Sequence, residues 1–105
     1  MNDVTISGRL GTDLVLRFTD TATPVTNVRL AVHRPGHDDP DWFSVAVWGK
    51  AAQNLVEHCA KGDRVVLFGH LRPDTVTGAD GKKYDAVTVH ADRVEFASSK
   101  REVPA

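Results

Sequence analysis

Asp41-Trp42-Phe43-Ser44-Val45-Ala46-Val47-Trp48-Gly49-Lys50 is the stretch that decides how this chain folds. Phe43, Val45 and Val47 form one row, and Trp42, Ser44, Ala46 and Trp48 the other, the period-two pattern of a strand with two unlike faces. Gly49 breaks the alternation. From Lys50 to Ala60 the residues are strong helix formers, and Ala52, Leu55, Val56 and Cys59 fall on one helical stripe. Lys61 is expected in the last turn, where it complements the helix dipole, and Gly62 at the left-handed cap.

Working upstream, Val4 to Leu10 alternates as a half-buried strand and Gly11-Thr12-Asp13 interrupts it. Leu14 to Phe18 resumes as a short strand or a continuation around a bend, and Thr19 to Thr23 is a turn cluster. Val25 to His33 sets Val28, Leu30 and Val32 against Asn27, Arg29, Ala31 and His33, and residues 34–40 form a loop. Downstream, Arg64 to Leu71 is a fourth strand. Pro73 to Lys83 reads as a loop around the Gly78-Ala79-Asp80-Gly81 turn signal, and Tyr84 to Phe96 is a fifth strand. Three strands, a helix and two strands describe an all-β chain. The order matches the OB-fold, a five-stranded Greek-key β-barrel with one helix between strands 3 and 4, although the alternation suits a small sandwich equally well. The expected division is one domain over 1–97 and a short polar tail over 98–105.

The 105 residues are 41% apolar and 26% charged with a formal net charge of -1, so attraction to a polyanion has to come from cations sorted onto one face. Cys59 is the lone cysteine, which excludes an internal disulfide, and it is expected as a small core or interface residue. No apolar run reaches the roughly 20 residues that span a bilayer, and the N-terminus lacks a signal-peptide pattern; cytoplasmic residence is expected. The acidic run His37-Asp38-Asp39-Pro40-Asp41 reads as a solvated loop rather than a metal site. Ser44, His58 and the aspartates form no readable catalytic triad, and no Gly-rich phosphate loop occurs. Neither an enzyme nor a cofactor is expected.

The third strand with Gly49-Lys50, then Leu55, Ala60-Lys61-Gly62-Asp63-Arg64-Val65 and Gly69-His70-Leu71-Arg72, resembles the bacterial single-stranded DNA-binding protein family. Residues Asn2 to Asp13, Arg17-Phe18 and Val28 to Val32 look like that family's earlier elements, so the resemblance covers about residues 1–96. It implies an OB-fold, assembly as a homotetramer, and binding of single strands without sequence preference in replication, recombination or repair. The family's stacking aromatics fall on Trp42 and Trp48, and its basic positions on Lys50, Lys61 and Arg72. Two further aromatics of the family fall near Gly36 and Val76 and are missing here. The family's acidic tail has no counterpart after residue 96, so protein partners recruited through such a tail are not expected.

Single strands expose base faces, and stacking on an aromatic ring contributes about 1–3 kcal/mol per base whatever the sequence. Trp42 and Trp48 share one strand face at a separation of about 20 Å, room for several nucleotides. A core placement is the competing reading, but Phe43, Val45 and Val47 already supply an inward row. Arg29, His33 and Arg9 lie on polar strand faces. With Lys50 and Arg72 they would make a phosphate track, whereas taken singly each is an ordinary solvated charge. Lys82-Lys83-Tyr84 joins two cations to an aromatic at the last hairpin and fits either a DNA contact or a solubilising turn. Val66 and Phe68 are expected to face outward together as an apolar patch of a homo-oligomer. The other reading of the chain is an OB adaptor or oligomerisation module with weak or no DNA binding.

Overall fold

The computed structural model describes residues 1–98, so the tail expected over 98–105 lies almost wholly outside the described residues. The elements are β1 (Val4–Leu10), β2 (Arg17–Phe18), β3 (Pro24–Val32), β4 (Asp41–Trp48), α1 (Gly49–His58), β5 (Arg64–Thr77) and β6 (Lys83–Ser98). Leu14 to Phe18 thus yields only the two-residue β2, and five longer strands remain, with the helix between the third and fourth of them. Pairing runs β1–β5, β5–β6, β6–β4, β4–β3 and back through β3–β1, so the sheet curls onto itself as the OB order requires. Two seams are short. The β1–β3 seam is Arg9↔Ala31 and Leu10↔Leu30, and the parallel β4–β6 seam is Val45↔Val89, Ala46↔His90 and Val47↔Ala91.

The enclosed face carries Leu10, Val28, Leu30, Val45, Val47, Val65, Leu67 and Val89, all almost fully buried. Helix α1 closes one end, burying Ala51, Ala52 and Leu55, with Cys59 just beyond it in the same cluster. Gly8 and Gly69 have no room for a side chain: a Cβ on Gly69 would stand 2.7 Å from the Ala91 Cα, beside a bulge in the β5–β6 pairing.

Five expectations change. The helix stops at His58, where Cys59 turns to extended backbone while its N–H still bonds to the Leu55 carbonyl. Gly62, at φ +95°, therefore serves the following turn and not the helix cap. Its N–H bonds to the Leu10 carbonyl, and Asp63 accepts from the Ala60 N–H. Lys61 accordingly sits in that turn rather than in the helix's last turn. The stretch 73–83 is mostly strand: pairing continues to Thr77↔Lys83, leaving only residues 78–82 as the turn. Phe43, expected inward, is 39% exposed, because β4 meets β6 only from Val45 onward.

Candidate nucleic-acid interface

The outward face of β3 and β4 forms the floor of an open groove of about 520 Å³, with Thr88 and His90 of β6 and Asp74 of β5 along one wall. Strand parity places Asn27 and Arg29 beside Ala46 and Ser44, since the register joins Asn27↔Ala46 and Arg29↔Ser44. Arg17, at the start of β2, reaches the same groove.

Trp42 is 47% exposed. The Arg29 guanidinium lies 4.9 Å from its ring centroid, a cation–π arrangement, and the far edge of the indole rests on Gly11. Both contacts hold the ring while leaving much of it open to solvent. Trp48, at the other end of the strand, is half-buried. Its indole Nε1–H donates to His90 Nδ1 at 3.0 Å, and the two rings lie nearly parallel with centroids 5.9 Å apart. Arg72 lines an adjoining depression with Trp48, His70 and His90.

Two groups here titrate away from their ordinary values. Burial, followed by the facing Arg72, holds His90 low, while Asp74 pulls the other way. The Thr88 hydroxyl, which donates to Asp74, is the main cause that holds the Asp74 carboxyl below the usual carboxylate range. Three arginines, Arg17, Arg29 and Arg72, against two aspartates, Asp74 and Asp92, leave the groove and its adjoining depression net cationic on a chain that is almost neutral. The arrangement offers flat aromatic surface, cations and hydrogen-bonding groups in an open channel. Among the described residues no cluster of His, Cys, Asp and Glu could hold a metal ion.

The expected site residues separate into three groups. Trp42, Trp48, Arg29 and Arg72 come together along or beside the groove. Arg9 and His33 share a second groove with Arg64, on the other side of Ala31, and Arg9 is committed to the Gly62 carbonyl at 3.0 Å. Lys50 and Lys61 lie exposed near the two ends of α1 and do not line the main groove. Lys82, Lys83 and Tyr84 lie at the hairpin tip, where the Tyr84 hydroxyl donates to Asp80 at 2.6 Å and its ring covers Gly78. Sequence reasoning missed Arg17 and His90 as groove residues. Arg17 carried a signal, a cation beside an exposed aromatic, Phe18; His90 carried none, because its approach to Trp48 depends on the parallel β4–β6 seam.

A closed five-strand sheet plugged by one helix, with aromatics and arginines on its outer groove, defines an oligonucleotide-binding type of domain. The chain belongs to the single-strand binding protein family, whose model matches residues 1–97. Among its relatives is a single-stranded DNA-binding protein of Thermosynechococcus vestitus, 34% identical over 107 residues that cover 97% of this chain and 87% of the relative. Single-stranded DNA-binding protein B of Bacillus subtilis is 32% identical, covering 94% of this chain and 92% of the relative. The corresponding protein of Oceanobacillus iheyensis is 33% identical over 95% of this chain, which spans 65% of that longer relative.

Proposed function

We propose that this chain binds single-stranded DNA without sequence preference and catalyses nothing, covering exposed strands during replication, recombination or repair. The observation that carries the reading is Trp42, an exposed indole held between Gly11 and Arg29 at the mouth of a cationic groove that ends at Trp48. Bases stack on the two rings while Arg17, Arg29 and Arg72 follow the phosphates. The names of the relatives, and an outer sheet face that carries an open groove, support the same reading. Residues 1–97 form the binding domain. The binding unit is a homo-oligomer, a tetramer, working in the cytoplasm; no helix among the described residues is long and apolar enough to cross a membrane.

Val15, Leu71 and Val87 are exposed apolar residues that assembly would cover. Phe68 contributes less to such a patch than its sequence position implies, since the Arg93 guanidinium lies 4.0 Å over its ring. The adaptor reading draws on the missing aromatics. Gly36 stands in open space, and exposed Val76 offers no ring to a base.

Titration of the protein with oligo-dT, followed by tryptophan fluorescence at several salt concentrations, separates the two. Binding should quench the tryptophans, and Arg17→Ala or Arg72→Ala should each flatten the slope of log affinity against log salt by about 0.7. Unchanged fluorescence with no retention of the oligonucleotide would establish the adaptor instead. Light scattering tests the assembly: a monomer at micromolar concentration refutes it.

A further inference from the structure

His90 stands where it can control Trp48. It lies on β6 opposite Ala46 of β4, and its Nδ1 accepts the indole N–H of Trp48 at 3.0 Å. An indole nitrogen only donates, so Nδ1 must carry a lone pair, and the proton of the neutral imidazole is on Nε2. That atom is 3.8 Å from the Asp74 carboxylate.

We propose that neutral His90 is a positioning residue that latches the Trp48 indole in its stacking orientation, and that protonation of His90 opens the latch and weakens single-strand binding. The inference rests on the reading of Trp48 as a stacking platform. Once Nδ1 gains a proton, two N–H groups point at each other and the hydrogen bond is lost. A base that stacks on Trp48 must then also order the indole. Protonation also adds a positive charge beside Asp74 that favours phosphate, and the latch requires that loss of the indole's anchor outweigh it.

The groups that face His90 fix where the latch opens. From β5, Asp74 favours the imidazolium, while Arg72 and the stacked His70, at 5.9 Å between ring centroids, oppose it. Asp92, two residues along β6, lines the same depression, and β4 contributes Trp48, which does not titrate. Burial is the largest influence and acts with Arg72 and His70, so His90 titrates below its ordinary 6.5 and the latch is closed at neutral pH.

The test compares the intact protein with His90→Gln, whose side-chain oxygen still accepts from the indole but does not titrate. Affinity for a labelled oligo-dT is measured by anisotropy from about pH 7.5 to about pH 5. His33, His37, His58 and His70 are common to both proteins, so the ratio of the two affinities isolates His90. Wild type should lose about three- to tenfold relative to His90→Gln on acidification, the range of one hydrogen bond and one reordered side chain. Parallel profiles would overturn the latch. Should the variant not fold, the indole N–H resonance of Trp48 in wild type, assigned by comparison with Trp42→Phe, decides: it must move with a titration below 6.5, and a resonance that stays still refutes the proposal. Wild type that fails to bind oligo-dT at neutral pH would sink the DNA-binding reading instead, and the resonance titration would still judge the latch.

Discussion

Replacing Trp42 by alanine removes the most exposed aromatic surface of the groove while leaving the enclosed face of the sheet untouched. Two magnitudes follow from its environment. A tryptophan side chain offers about 150–250 Å², and 47% exposure leaves roughly half of that covered, on the order of 100 Å². At about 25 cal/mol per Å² this is ~2.5 kcal/mol of burial, an upper value because the unfolded chain already hides part of it and alanine keeps some. A stability loss of about 1–2 kcal/mol is expected, against a typical total of roughly 5–15 kcal/mol, so the variant stays folded. Loss of one stacked base costs about 1–3 kcal/mol of binding, a drop in affinity of roughly 5- to 150-fold. Thermal unfolding and an oligo-dT titration on the same variant give both numbers. The salt dependence adds a further check: stacking is uncharged, so the drop should be similar at every salt concentration. A folded Trp42→Ala protein that binds oligo-dT as tightly as wild type would remove Trp42 from the interface. A loss near the 3–5 kcal/mol of a fully buried aromatic would return it to the core.

Gly11→Ala should weaken binding while Trp42 remains present: the new Cβ would overlap the Trp42 ring edge, reaching within 2.8 Å of Cη2, and push the indole off its seat. Normal affinity with an unshifted tryptophan emission would contradict that seating. Leu55→Ala, in the fully buried plug of α1, should cost about 2–5 kcal/mol in denaturant unfolding and leave the affinity of the folded fraction unchanged. A loss well under that range would mean the helix is not closing the core. The Tyr84 hydroxyl is the first cause that holds the Asp80 carboxyl low, and Asp80 in turn holds the Tyr84 hydroxyl high. Both shifts therefore favour the turn between the two titrations, with that contribution fading as pH falls through the carboxylate range or rises through the tyrosine range. Tyr84→Phe should raise the Asp80 titration toward its ordinary 3.8 in a carboxyl-carbon NMR experiment, and no movement would mean the contact is absent in solution.

Strand and helix identities were legible because periodicity is a local property. Val28, Leu30, Val45 and Val47 recur at every second position where one face is enclosed, and Ala52 and Leu55 repeat at helical spacing. The same logic exposed Trp42 and Arg29, which stand on the outer rows of adjacent strands. Local signals failed where the outcome depends on a distant neighbour. Phe43 has the parity of a core residue, but β6 does not extend over it; residues 73–77 are rich in turn formers, yet their partners across β6 hold them in the sheet. Gly62 has the conformation expected of a helix cap and is used in the turn beside Leu10. The sequence by itself determined the order of elements, the inward rows and two aromatics on one outer face, because each follows from the spacing of side chains along a single strand or helix. Only the tertiary structure decided that Arg17 joins the groove, that Arg9 and His33 belong to another one, and that Trp48 is tied to His90. These depend on which strands become neighbours, and the short parallel seam joining β4 to a strand some forty residues later leaves no mark on either segment alone.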